Sequence, residues 1–269
     1  QPQIFGWISD LEKGGNYLTG ADQRLLYAND NYCAFIRKTK SDQIFYSFIF
    51  VIACVLLIPA TYIFLTIILN SNSKTENSIV SLSYFIVIVS LFAFYLFIPE
   101  IYHNLFTRQG SPIIFNRKTG KVYINESYFF NFKVLRNPLT FLHPNKKRIK
   151  EYDWAHLQGV VVHNFSRYSL NTTILMVCKP HTHKTIDHIL LDPLRAGIGS
   201  YLVWGWVNNF MCANKLAGLN DGKYKWEQET QFKEKIIKGQ GWPEWMVEAF
   251  NATSQQELAE IKQRHHVKQ

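Results

Sequence analysis

The chain carries few of the signatures that announce a reaction. Its four cysteines, Cys33, Cys54, Cys178 and Cys212, are scattered, with no CxxC pair and no zinc-type spacing. That excludes a disulfide framework and a cysteine-built structural metal site as organising devices. There is no GxSxG elbow, no phosphate loop, no dinucleotide fingerprint and no paired-carboxylate motif, so hydrolase, nucleotide-binding and glycosidase readings lose their usual supports. Gly197, Gly199 and Ser200 offer glycines beside a serine, but inside an expected helix rather than at a strand-to-helix elbow. The chain is therefore expected not to be an enzyme and to need no cofactor. Residues 1–36 lack the basic start, short apolar core and small-residue cleavage site of a signal peptide.

Charge is missing as well, over two long stretches. Ile44–Leu69 and Ile79–Pro99 hold no charged residue and are separated by a short polar loop. A bilayer core about 30 Å thick takes roughly 20 apolar residues in a helix, and both runs are long enough. Fourteen residues of the second run are Ile, Val, Leu or Phe, each favouring insertion by roughly 0.3–0.6 kcal/mol near mid-depth. The alternative, two buried helices of a large soluble protein, fits poorly because such helices normally keep one polar face. Pro59 is expected to kink the first helix. The absence of a charged residue at mid-depth argues against transport through the hairpin.

What charge there is lies unevenly. From Ile101 to Lys150 there are ten cations against the single carboxylate Glu126, and that excess equals the formal net charge of the whole chain, +9. Arg37, Lys38 and Lys40 precede the first apolar run, and Arg108, Arg117, Lys118 and Lys121 follow the second. By the positive-inside tendency both flanks face the cytoplasm. A basic segment so placed suits an anionic leaflet, at about 1 kcal/mol per cation near the surface, or an acidic protein, better than nucleic acid. The candidate partner- or headgroup-binding residues are Arg117, Lys118, Lys146, Lys147, Arg148 and Lys150, with Trp242 and Trp245 as aromatic anchors for a protein partner.

The expected organisation is a juxtamembrane arm over residues 1–42, a transmembrane helical hairpin over 43–102 (44–69 and 79–101), a cytoplasmic α+β domain over 103–214, and a C-terminal helical extension over 215–269. Asp22–Ile36 reads as a short helix. Ile113–Phe115 and Val122–Ile124 read as a hairpin around Asn116, Lys118 and Gly120. Tyr128–Leu135, Gln158–Phe165, Thr172–Cys178 and Thr185–Leu191 read as strands. Asp192 and Pro193 are expected to open a helix through Asn214, with Leu202, Trp206 and Phe210 on its apolar side. Glu227–Ile237, Trp242–Phe250 and Gln255–Arg264 read as helical. An antiparallel sheet closed by an apolar helix has the outline of a pleckstrin-homology-like domain at the level of topology. His181, His183 and Asp187 would share one face of a continuous strand and so form the best metal candidate, but Pro180 places the histidines in a turn.

Ser111–Tyr123 (SPIIFNRKTGKVY) and the Tyr152–Trp154 segment resemble motifs of an uncharacterised bacterial family of two-helix membrane proteins found near type VI secretion and polymorphic toxin genes. The resemblance implies an inner-membrane immunity-type protein that binds and neutralises a cognate effector. It supplies no catalytic residues. A membrane-anchored, lipid-responsive adaptor is the alternative, and helix-mediated homo-oligomers are compatible with either.

Overall fold

The computed structural model describes residues 7–14, 24–37, 40–71, 77–106, 112–126, 148–164, 170–182, 184–191, 199–212 and 229–267. The chain divides into two compact units, one formed by residues 40–107 and the other by residues 1–39 together with 108–269.

The first unit is an antiparallel pair of helices, α1 (Lys40–Leu69) and α2 (Asn77–Phe106). Both exceed the expected runs by a few residues into their polar flanks, and α1 continues through Pro59. Ser47–Leu69 and Asn77–Tyr95 are long and apolar enough to cross a membrane. Their outer faces expose large apolar side chains, among them Phe48, Leu56, Phe85 and Ile88. The seam follows a heptad. On α1 the more buried positions include Ser47, Phe50, Cys54, Leu57, Thr61, Phe64 and Ile68; on α2 they include Ser83, Val87, Ser90, Phe94 and Phe97. Small side chains recur there every seven residues and let the backbones approach, as membrane helix pairs require. The Phe50 and Phe97 rings meet at 5.2 Å. Ser83 returns its hydroxyl proton to the Ile79 carbonyl at 2.8 Å, so the buried hydroxyl is satisfied within its own helix.

The second unit contains nine described strands: β1 (Trp7–Leu11), β2 (Leu25–Ala28), β3 (Tyr32–Phe35), β4 (Ile113–Asn116), β5 (Lys121–Asn125), β6 (Ile149–Asp153), β7 (Leu157–Asn164), β8 (Leu170–Cys178) and β9 (Thr185–Leu190). They form a five-stranded sheet, β2-β3-β4-β5-β6, and a four-stranded sheet, β1-β7-β8-β9, antiparallel throughout. A 3-10 turn, Trp154–His156, carries the chain from one sheet to the other. The described helices are α3 (Gly199–Cys212), α4 (Glu229–Phe232) running into a π-turn at Lys233–Ile237, α5 (Glu244–Ala249) and α6 (Gln255–Arg264). The start of α6 is set locally: Ser254 Oγ accepts the Glu257 N–H at 3.1 Å, and Glu257 accepts the Thr253 N–H at 2.8 Å. The strands expected around 113–124, 158–165, 172–178 and 185–191 are present. Tyr128–Leu135 and Asp192–Pro193 lie outside the described residues.

Asp22–Ile36 is not a helix. Its described part is a β-hairpin turned by Asn29, Asp30 and Asn31, where Asn29 Oδ1 accepts the N–H groups of Asn31 (2.9 Å) and Tyr32 (2.8 Å). Side-chain acceptance of this kind favours a turn over a helix. β3 then pairs with β4, Phe35 opposite Ile113 and Tyr32 opposite Asn116. The pair α1 and α2 is therefore spliced into the connection between two adjacent strands of one sheet.

That sheet is apolar on both faces. Cys33, Phe35, Ile113, Phe115, Val122 and Ile124 share a core with Leu157, Val161, Val177 and Ile189 of the other sheet and with Val203, Trp204, Trp206, Val207 and Phe210 of α3. The alternate residues Tyr32, Ala34, Ile114 and Tyr123 share a second core with Phe232, Trp242, Met246, Phe250, Leu258 and Ile261. The period of two in a strand sends neighbours to opposite faces, so continuous runs such as Ile113–Phe115 mark strands covered on both sides. The C-terminal helices thus form one wall of the core, continuous with the 108–214 region.

Within the first core the Trp204 ring lies flat against β7. A Cβ added at Gly159 would sit 2.7–2.8 Å from three of its ring atoms, and the ring is held by stacking on Trp154 at 5.5 Å. Gly159→Ala is expected to destabilise the second unit by about 1–3 kcal/mol through overpacking. Thermal unfolding followed by tryptophan fluorescence checks this.

Candidate functional site

The β4–β5 turn explains why Asn116, Arg117 and Lys118 stand together. Asn116 is fully buried, and its Oδ1 accepts the N–H groups of Lys118 (2.8 Å) and Thr119 (2.9 Å). Its Nδ2 donates to the carbonyls of Phe250 (3.0 Å) and Ala252 (2.8 Å), which closes the α5–α6 connection onto the turn. Gly120 completes the turn at φ +63°, where a side chain would be strained. Asn251 meets Asn29 Nδ2 at 3.1 Å and Asn31 Nδ2 at 3.0 Å. Three segments remote in sequence are thereby joined at one end of the five-stranded sheet.

Arg117 is committed to this junction. Its Nη2 pairs with Asp30 at 3.1 Å, its Nε donates to the Asp30 carbonyl, and its guanidinium lies 5.1 Å from the Phe210 ring. Lys118 is exposed. Lys121, in the same region, pairs with Asp153 (2.6 Å) and Glu151 (3.3 Å). Burial would lower its pKa, but these two carboxylates raise it overall.

The opposite end of the sheet holds a different set. Arg37 is buried; its Nη1 meets Glu126 Oε1 at 2.5 Å and its Nη2 donates to the Asn125 carbonyl at 2.9 Å. Arg24, also buried, donates to the Arg37 carbonyl at 3.3 Å. The Glu126 N–H donates to the Arg148 carbonyl at 2.8 Å. Burial pulls the Arg148 guanidinium down from its ordinary pKa, Glu126 opposes this and Arg37 adds to it. The antiparallel register puts Leu25, Phe35, Ile113, Ile124 and Lys150 at this end, and Arg117 and Lys118 beyond the other. The basic run read along the sequence is thus not one face. Lys146 and Lys147 lie outside the described residues.

Lys150 and Tyr152, on β6, both reach Asp187 on β9, Tyr152 Oη at 2.7 Å. Together they bolt the two sheets. Burial alone would raise the Asp187 carboxyl, but hydrogen bonds from Lys150, Tyr152 and the His188 N–H, with the Lys150 charge, hold it below the ordinary 3.8. Burial and Asp187 push the Tyr152 hydroxyl well above its ordinary value. Asp187 is therefore engaged with groups other than the histidines. His181 sits in the β8–β9 turn at φ +58°, and His183 lies outside the described residues. No cluster of three or more His, Cys, Asp or Glu with metal-holding geometry occurs among the described residues.

The two tryptophans differ from the expected exposed anchors. Trp242 is a core residue, packed edge-on against Phe250 at 5.2 Å, with its Nε1 donating to Gln240 at 3.0 Å. The nearby Gln240 and the hydrophobic wall of the second core bury it, so it offers no surface to a partner. Trp245 is partly buried under Lys262, whose Nζ lies 5.3 Å from the ring and 2.8 Å from Glu151. Sequence reading gave no role to Arg24, Asn116 Nδ2 or Asn251, because each acts through a partner far along the chain.

The four thiols are free. Burial raises the Cys33 thiol far above its ordinary pKa. Lys13 donates to the Trp154 and Ala155 carbonyls at 2.5 and 3.2 Å, and burial lowers its pKa. Lys13 thereby ties the segment after β1 to the turn between the two sheets.

Because Asp187 has a depressed pKa in the folded state, its stabilisation is full above the ordinary carboxyl value and is lost as pH falls through the folded one. Wild-type stability should therefore decline from about pH 5 downward. Asp187→Asn is expected to lower stability at pH 7 by about 1 kcal/mol, given its partial exposure, and to flatten that acid limb. Urea unfolding between pH 7 and pH 3 measures both.

A family model described as a family of unknown function, DUF6708, matches residues 90–245. No curated protein and no solved structure matches the chain. The matched segment begins within α2 and ends within α5, so the flanking residues that complete the second core, such as Tyr32 and Phe250, lie outside it. Covering more than half of the sequence, the match places the chain in the DUF6708 family.

Proposed function

We propose that this protein is a membrane-anchored, non-catalytic binding protein of the immunity type, which neutralises a cognate antibacterial effector at the bacterial inner membrane. The observation that carries the anchoring is the splicing of α1 and α2 between adjacent strands β3 and β4. Residues on both sides of the helix pair build one sheet, so a pair that crosses the bilayer must return the chain to the side it left. Exposed apolar outer faces on helices long enough to span support insertion. The flanking cations Arg37, Lys38, Lys40 and Arg108 favour the cytoplasm for both ends. The effector as partner rests on the motif resemblance at Ser111–Tyr123 and Tyr152–Trp154.

The adaptor reading has its own observation: the gathering of Arg24, Arg37 and Arg148 at one end of the five-stranded sheet. The likeness to pleckstrin-homology-like domains is supported by two antiparallel sheets packed with a helix, and by nothing finer.

Two measurements test the proposal. The chain is expected to stay with membranes through alkaline carbonate and to resist protease added outside spheroplasts beyond Arg108. Deleting its gene in a strain that keeps the neighbouring effectors is expected to sensitise that strain to its siblings; undiminished survival in competition removes the immunity reading.

A further inference from the structure

We infer that the open edge of β9 is the docking site for an extended, acidic segment of the protein partner, which adds to the four-stranded sheet as a further strand. This rests on the binding-protein reading above and names the chemistry of what is bound. Backbone geometry is the first support. β9 ends its sheet and is paired on one side only, by β8. Asp187–Leu190 run in unbroken register opposite Val177–Ile174, and the register shift beyond them throws Ile186 out of the ladder. His188 stands opposite Met176, yet its N–H goes to Asp187 Oδ1 at 2.9 Å, so it is turned away from β8. An incoming carbonyl can take over that N–H while Asp187 keeps Lys150 and Tyr152 on its other oxygen. In strand addition, main-chain bonds of this kind give affinity and alternate side chains give selectivity.

The side chains along this edge supply the second support. Among the described residues outside α1 and α2, the large apolar side chains left exposed are Ile8 and Ile186, and Ile186 is 61% exposed. Edge strands that must stay unpaired usually carry charge at such a place. His188 is exposed beside it, and Leu190 is half-buried. Where the strand begins, the Lys179 N–H closes the β8–β9 turn on the Lys184 carbonyl at 2.9 Å, so two exposed lysines face each other with exposed His181 between them in the chain. Like charges set opposite one another are unfavourable. Neither lysine meets a carboxylate among the described residues, since Asp187 is held by Lys150 and Tyr152. A partner carboxylate placed between Lys179 and Lys184 relieves that repulsion. The other edge of the sheet selects against the same ligand: β1 is interrupted by a register shift between Trp7 and Ser9 and carries Asp10, with Glu12 just beyond it. Charge therefore directs an acidic strand to β9.

The test uses the full chain purified in a neutral detergent and a fluorescein-labelled heptapeptide of alternating glutamate and valine, read by anisotropy. Saturable binding is expected. The same peptide N-methylated on alternate residues keeps its charge but loses one hydrogen-bonding edge. It should bind about tenfold more weakly, the cost of two lost ladder bonds. K179A/K184A should weaken the unmethylated peptide about fivefold, and only at low salt. Ile186→Glu should weaken it at least as much. These side chains are exposed, so the thermal unfolding of both variants should match the wild type. Lys118→Ala, at another exposed cation, should bind as the wild type does. Equal binding of the N-methylated peptide, or an equal loss in Lys118→Ala, overturns the inference. So do wild-type oligomers that Ile186→Glu dissolves, which assign the edge to a second copy of the chain. The immunity reading is scored separately, in competition between siblings. A strain carrying Ile186→Glu that survives as the wild type does leaves immunity standing and removes the edge as its site; peptide binding at the edge of a chain whose deletion costs nothing does the reverse.

Discussion

A sheet with two apolar faces has to be covered twice, and this requirement governs the second unit. Tyr32, Phe35, Ile113, Ile114, Phe115 and Tyr123 are all essentially inaccessible. Each is worth roughly 1.5–3 kcal/mol when removed from water, so leaving either face open would cost more than a domain of this size can spare. One face is closed by α3 and the second sheet, the other by the C-terminal helices. The Asn116 carboxamide locks the second cover in register, because its two donors and its acceptor are all satisfied by backbone groups of the turn and of residues 250–252. Replacing it leaves buried carbonyls without partners, which is the expensive half of a lost hydrogen bond.

How much of this could be read from the residues depends on the reach of the interaction. The apolar helices, the β4–β5 hairpin, the strands from Leu157 to Leu190 and the helix Gln255–Arg264 follow from local period and capping, and each is present. The arm is not legible locally: Leu25, Leu26 and Ile36 mimic a helical face, while the feature that decides, pairing of β3 with β4, joins Cys33 to Phe115 across the whole helix pair. The division of the basic segment between two ends of the sheet is invisible along the chain for the same reason. Its counter-charges Asp30, Glu151, Asp153 and Asp187 come from other strands, and a count along the sequence does not include them in the right places. Trp242, beside Pro243, has the sequence setting of an exposed anchor; its burial depends on Phe250 and Gln240 in three dimensions.

Connectivity then links architecture to the proposed role. A helix pair spliced into the middle of a sheet joins the two units of the chain through the adjacent strands β3 and β4. The asparagine junction and the α5–α6 connection lie at one end of the five-stranded sheet. Arg24, Arg37 and Arg148 lie at the other end. The immunity-type binding proposed for the chain calls for a rigid displayed surface, and a sheet covered on both faces is suited to hold one.

Residues 244–264 are a wall of the sheet and are expected to unfold only with it. Amide hydrogen exchange read by mass spectrometry is the most direct measurement. Peptides covering β3, β4, β5, α5 and α6 should exchange together, through one opening with a common free energy. Exchange of residues 244–264 well ahead of Ile113–Asn125, through an opening of their own, would contradict it.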